Sequence, residues 1–232
     1  MKPITEGKSR LAPMLTADQR ALLSLAMLIR VLSAAAATPG IKDVVAYGGG
    51  DAVRNACEQT GAGWRPDPGL GLNGCVAAGF SDATFEGFTH GMFLPADLPL
   101  VTSEALSTLI DAGQNRELAI VPDLADDGTN ALLVDLAAVF PTLLGEASFE
   151  RHVMLAGRRG IDYFVHRPSQ LRSELGLDID TPPDMERLMD LTPDIWADLG
   201  REIQEAGLQS SLPGNSGDSG DPAREPVEEG TE

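Results

Sequence analysis

The sequence predicts an α/β protein built on a mostly parallel sheet. Two observations carry that reading: short apolar runs alternate with helical patterns along the interior, and three aspartates stand where an open α/β sheet exposes function. Composition sets the wider class. The 232 residues allow one domain, or at most two small ones, with a sizeable core. Hydrophobic residues at 43% and charged residues at 22% fit a globular protein, while a net charge of −18 excludes a broad basic surface for nucleic acid or anionic lipid. Aromatic content of 5% weighs against base-stacking platforms. Cys57 and Cys75 make no disulfide framework and read as partly buried thiols in a reducing cytoplasm.

The first element is a helix over residues 17–37. Thr16 with Gln19 three residues later forms a capping box ahead of a strongly apolar stretch. That stretch loosely imitates a secretory signal, but Arg30 interrupts it and its flank carries Glu6 and Asp18. It is also too short and too charged to span a bilayer, so a buried helix and a cytoplasmic location are expected, with no membrane partner. A strand over 43–47 follows, and Gly48-Gly49-Gly50 makes the turn into a helix over 51–59. Gly69-Leu-Gly71-Leu-Asn-Gly74 matches a dinucleotide glycine pattern without a clear strand leading into it, which is a weak signal. It borders a helix over 73–81.

A strand over 91–95 places Asp97 just past its carboxyl end, where such sheets bind ligands. A helix over 102–112 and strands over 118–122 and 131–135 come next, the last two separated by the acidic loop 123–127 and Gly128-Thr129-Asn130. Gly145 and Ser148 open a helix over 148–159, where a serine cap and free N–H groups make an anion site. Beyond a strand over 161–165, a strand over 176–179 sets Asp178 and Asp180 on one face, with Leu177 and Ile179 in the core. Two adjacent carboxylates repel unless a cation joins them, and their oxygens suit Mg²⁺. The competing reading makes Asp180 or Thr181 an N-cap, with Pro182 at the first position of a helix over 182–190. A last helix covers 193–206.

Cations are few, and Lys2, Lys8 and Arg10 cluster at the front as a candidate triphosphate cradle. His90, His152 and His166 have neither zinc spacing nor a triad around a serine. From Gln209 to Glu232 the chain is polar, with six acids against Arg224 carrying −5 of the −18, and reads as a disordered tail after a domain over 1–208. A solvated tail and an interaction peptide are the two uses of such a segment.

In order, Lys2-Pro-Ile-Thr-Glu-Gly-Lys8-Ser-Arg10-Leu-Ala-Pro, Gly71-Leu-Asn73, Pro95-Ala-Asp97-Leu-Pro-Leu, Pro122-Asp123 with Gly128-Thr129-Asn130, Gly145-Glu-Ala-Ser148-Phe-Glu-Arg-His152 and Leu177-Asp178-Ile-Asp180-Thr-Pro resemble the guanylyltransferases of coenzyme F-420 biosynthesis. Those enzymes take 2-phospho-L-lactate, phosphoenolpyruvate or 3-phosphoglycerate. The resemblance implies a Rossmann-like, nucleotide-diphospho-sugar-transferase-like fold with a small β extension. It implies a reaction in which a phosphate oxygen of a small phospho-acid attacks the α-phosphorus of GTP and pyrophosphate leaves, with Mg²⁺ as cofactor and the product handed to the downstream F-420 transferase. Carried over by motif, Asp97, Asp178 and Asp180 would hold Mg²⁺, and Lys2, Lys8 and Arg10 would face the triphosphate. Asp178 would also contact substrate. Thr129, Gly145 and Ser148 would hold the acceptor, with Asn73 near the guanine or ribose.

Two departures stand out. The family has an apolar strand immediately before the position of Lys2, and here Met1 alone precedes it, so a sheet lacking its first strand is expected. Either the start lies further upstream or the chain binds nucleotide without catalysing; the intact acids favour the former. Phe140-Pro-Thr-Leu-Leu ahead of Gly145 also differs from the usual aromatic-glycine run, which bears on acceptor choice. A related nucleotidyl- or glycosyltransferase with another acceptor is the alternative enzyme reading.

Overall fold

In the computed structural model, residue 4, residues 7–167 and residues 174–205 are described, the last four by backbone alone. Lys2 and the whole 209–232 segment lie outside the described residues. The capping box is present: Gln19 N donates to Thr16 Oγ1 and Thr16 N donates to Gln19 Oε1 at 2.9 Å, starting α1 (Ala17–Ala36). By length and composition α1 could cross a membrane, yet 61% of its apolar window is buried inside the protein. It packs on α2 (Gly50–Thr60), α4 (Ser103–Gly113) and α7 (Ile195–Glu205), which explains why its apolar residues run all round it.

The remaining elements are β1 (Val45–Tyr47), β2 (Gly63–Arg65), α3 (Gly71–Phe85), β3 (His90–Phe93), β4 (Leu118–Pro122), β5 (Thr129–Asp135), α5 (Ser148–Arg159), β6 (Tyr163–Val165) and α6 (Pro182–Leu191). The strands form two sheets, a parallel pair β1-β2 and a four-stranded sheet in the order β3-β5-β4-β6. Side chains of β4 and β5 alternate strictly between two cores. Leu118, Ile120, Leu132 and Val134 join Phe140, Leu144 and Ala156 on one side. Ala119, Val121, Ala131 and Leu133 join Leu106, Leu109 and Val31 on the other. A sheet buried on both faces by helices gives the three-layer α/β arrangement.

Three features correct the sequence reading. The sheet is mixed: β5 runs antiparallel to both β3 and β4, while β4 and β6 are parallel. The six residues between β4 and β5 are too few for a parallel crossover, which needs a dozen or more, so the chain reverses there. Residues 176–179 belong to no strand: Gly176 lies in a turn, Leu124 N donates to its carbonyl, and Ile179 N donates to Asp97 O. Strand β2 was hidden in three half-buried residues after Gly61 and Ala62, and it does precede the glycine pattern.

Leu25 is fully buried in the core that α1 shares with α2, α6 and α7. Leu25→Ala is expected to cost about 2–5 kcal/mol through lost burial and a residual cavity. A lower urea midpoint at unchanged slope checks it.

Candidate functional site

The site lies at the carboxyl ends of β3 and β4, and two local devices shape it. After β3, Pro95 and Ala96 carry the chain to Asp97. At the end of β4, Pro122 cannot donate to a ladder, and the register shifts there: Val121 faces Ala131 and Pro122 faces Thr129, leaving Asn130 as a bulge. The Asp123 carboxylate closes the following turn by accepting from the amides of Ala125, Asp127 and Gly128. Bulge and turn together fix where Thr129 and Asn130 point.

On one side stands a charged cluster. Lys8 Nζ donates to Asp97 Oδ2 at 2.5 Å and to Asp180 Oδ1 at 2.9 Å. Its backbone sits at φ 54°, a left-handed conformation that costs an L-residue roughly 1–2 kcal/mol and is held by those contacts. Burial alone would lower the Lys8 pKa, but the charges of Asp97 and Asp180 outweigh it and raise it, so the ammonium stays protonated. Asp180 is 52% exposed, so its share of the pairing is screened and Asp97 is the stronger partner. Asp178 is half-buried beside them; desolvation first, then the charge of Asp97, pushes its carboxyl up to about 6. Asn130 Nδ2 opposes this by donating to Asp178 Oδ1 at 3.1 Å, and to Gly176 O at the same distance. Asp97 Oδ1 is buried with no hydrogen-bond partner among the described residues.

An orphaned carboxylate oxygen near a second carboxyl whose ionisation burial opposes can take a cation. The donor set suits Mg²⁺, which is commonly held by one or two carboxylates and substrate phosphates. Among the described residues no three acidic, histidine or cysteine side chains gather at metal-holding distances. Asp180 turns to Lys8 instead, and the capping of α6 falls to Thr181, whose hydroxyl donates to Asp184 Oδ2 at 2.7 Å.

On the other side lies an uncharged network. Ser148 Oγ donates to Thr129 Oγ1 at 3.1 Å, and Thr129 Oγ1 lies 3.1 Å from His152 Nδ1. Gly145, at φ 122°, makes the bend before α5 that a side chain would strain. Asn73, expected near the guanine or ribose, is engaged by backbone: its Nδ2 donates to Leu144 O at 3.0 Å and its Oδ1 accepts from Leu144 N at 2.7 Å, clamping the 140–145 segment. Arg10 is exposed and forms no ion pair among the described residues. The structure thus brings Lys8, Asp97, Asp178 and Asp180 together, and Thr129 with Ser148. Sequence reasoning passed over Asn130 and His152, although both stand inside the quoted motifs.

Comparison with known proteins identifies the family and the fold. A family model described as "Guanylyl transferase CofC like" matches residues 1–194. The chain belongs to the CofC-like guanylyl transferases. It is 33% identical to the phosphoenolpyruvate guanylyltransferase of Sphaerobacter thermophilus over 205 residues, covering 88% of this chain and 94% of that one. It is 35% identical to the enzyme of the same name from Rubrobacter xylanophilus over 189 residues, covering 81% and 90%. Among solved structures, a nucleotide-diphospho-sugar transferase, so described as putative, from Desulfovibrio desulfuricans G20 superposes with a TM-score of 0.68 at 17% identity, covering 87% and 90%. That likeness establishes the fold. As a CofC-like guanylyl transferase the chain is a nucleotidyltransferase, and the family resemblance read from its motifs holds.

Proposed function

We propose that this guanylyl transferase joins the GMP part of GTP to the phosphate of a small phosphorylated carboxylic acid in coenzyme F-420 biosynthesis, with phosphoenolpyruvate the first acceptor to test. The observation that carries the reading is the buried, unpartnered Asp97 Oδ1 beside Asp178, with Lys8 fixed against it. A phosphate oxygen of the acceptor attacks the α-phosphorus, the bond to the β-phosphate bridging oxygen breaks, and pyrophosphate departs. Phosphoryl and nucleotidyl transfer ask a protein for positioning and charge neutralisation more than for covalent chemistry. Asp97 and Asp178 would hold Mg²⁺ together with triphosphate oxygens, and the ion would supply the neutralisation of developing charge there. Lys8 lends a cation that burial does not switch off, and Arg10, two residues on, offers an exposed one. Thr129, Gly145 and Ser148 take the acceptor's phosphate or carboxylate. The names of the relatives support phosphoenolpyruvate as acceptor.

The test is pyrophosphate release from GTP and Mg²⁺ with phosphoenolpyruvate, 2-phospho-L-lactate or 3-phosphoglycerate. Release that needs both GTP and one of these acids is expected. Silence with all three, or equal turnover with CTP, would overturn the reading.

A further inference from the structure

His152 is fully buried on α5, between the 140–145 segment and β5. Its two ring nitrogens have fixed partners. Leu143 N is 2.8 Å from Nε2, and a backbone amide can only donate, so Nε2 carries no proton. Desolvation, then the charge of Arg151, lowers the His152 pKa to about 4, against the opposing Ser148 carbonyl. The ring is therefore neutral at physiological pH and its single proton sits on Nδ1. From there it donates to Thr129 Oγ1 at 3.1 Å.

A proton count follows. Thr129 and Ser148 own two hydroxyl hydrogens and spend one on the bond between them. The ring cannot accept the other, since Nε2 is filled and Nδ1 is a donor. Neither hydroxyl makes a further bond among the described residues. One hydroxyl hydrogen is left over whichever way the pair is oriented, in a site whose walls are 1% and 7% exposed. Such a donor is worth most to an anionic oxygen shielded from water.

We propose that His152 is a positioning residue of the transfer reaction: held by Leu143 and donating to Thr129, it turns the Thr129–Ser148 pair into a hydrogen-bond donor for a phosphate or carboxylate oxygen of the acceptor. The same ring ties the 140–145 segment to that pair. The inference rests on the reading that these hydroxyls receive the acceptor. It also explains why a histidine without metal or triad partners stands here: an aromatic ring of one tautomer supplies an acceptor and a donor about 2 Å apart with no rotamer freedom between them.

The test uses the full chain. In His152→Leu, KM for the phospho-acid should rise roughly ten- to a hundredfold while KM for GTP stays within about twofold, the signature of a lost bond to an anion rather than of a damaged fold. His152→Gln, whose amide also accepts and donates, should recover part of that loss. On the wild-type protein, nitrogen NMR of the ring should show the neutral Nδ1–H form from pH 6 to 8. Turnover in His152→Leu with unchanged KM for the acid overturns the proposal alone, as does an Nε2–H or doubly protonated ring. No turnover by the wild type with any of the three acids overturns the underlying reading, and the proposal with it.

Discussion

Asp97→Asn is expected to lower guanylyl transfer by about a thousandfold or more while the chain remains folded, since removing charge stabilisation worth several kcal/mol costs a factor of ten per 1.4. Asn keeps an oxygen and the size of the side chain, so the backbone bond from Ile179 N to Asp97 O is untouched. What disappears is the negative charge that Lys8 meets at 2.5 Å and a carboxylate oxygen that is buried with no partner among the described residues. Lys8 retains Asp180 at 2.9 Å, although that carboxylate is half exposed and screened, so the ammonium is less firmly placed. A second consequence is diagnostic. The Asp97 charge is one cause of the raised Asp178 pKa, so in Asp97→Asn the Asp178 carboxyl should titrate closer to its ordinary 3.8. Carbon NMR of the Asp178 carboxyl reads this directly. Near-normal turnover, or an Asp178 titration that does not move, would remove Asp97 from the centre of the site.

Sequence legibility followed the range over which each interaction acts. Elements fixed by local chemistry were plain: Thr16 with Gln19 gives α1 its start, and Thr181 with Pro182 and Asp184 gives α6 its own. Every helix expected from the pattern is present. Strand direction was not plain, because it depends on whether six residues can make a crossover, and the alternation of apolar runs is the same either way. The path of 176–179 also escaped, since its pattern of apolar and acidic residues fits any extended chain, paired or not. Within the site, Asp97 and Asp178 were legible as acids set at or inside short apolar runs, and Lys8 as one of few cations clustered at the front. Asp180 was legible as an acid but not as the partner of Lys8, a contact across 172 residues. The roles of Asn130 and His152, and the clamp that Asn73 makes on Leu144, were illegible for one reason. Each of the three is an uncharged group whose role is set by a bulge or a backbone amide that only the fold brings near, Leu144 lying 71 residues beyond Asn73.

Asp178→Asn should do two opposite things, abolishing turnover and stabilising the fold. The Asp178 carboxyl has a folded pKa of about 6 against an ordinary value of 3.8. Below pH 4 it is protonated in both states and contributes nothing. Between about pH 4 and 6 the folded state keeps a proton that the unfolded chain has released, so stability falls as pH rises. Above 6 both states are ionised and the full cost of the buried charge, on the order of 3 kcal/mol, is present. Asn cannot ionise, and its oxygen can still accept from Asn130 Nδ2. The variant should therefore gain on the wild type progressively from pH 4 to 6 and hold a constant advantage above it. Denaturant melts at pH 5 and pH 7.5 check this: the advantage should be larger at the higher pH, and equal advantages, or a less stable variant, would refute it. Mg²⁺ with GTP should close the gap by stabilising only the wild type, because a ligand that binds the folded carboxylate repays the cost of burying it. A binding site that is destabilising until filled is the expected signature of function at this position. The strength of that coupling, read as the pH dependence of the ligand-induced melting shift, separates a cation-binding carboxylate from one that merely caps a loop.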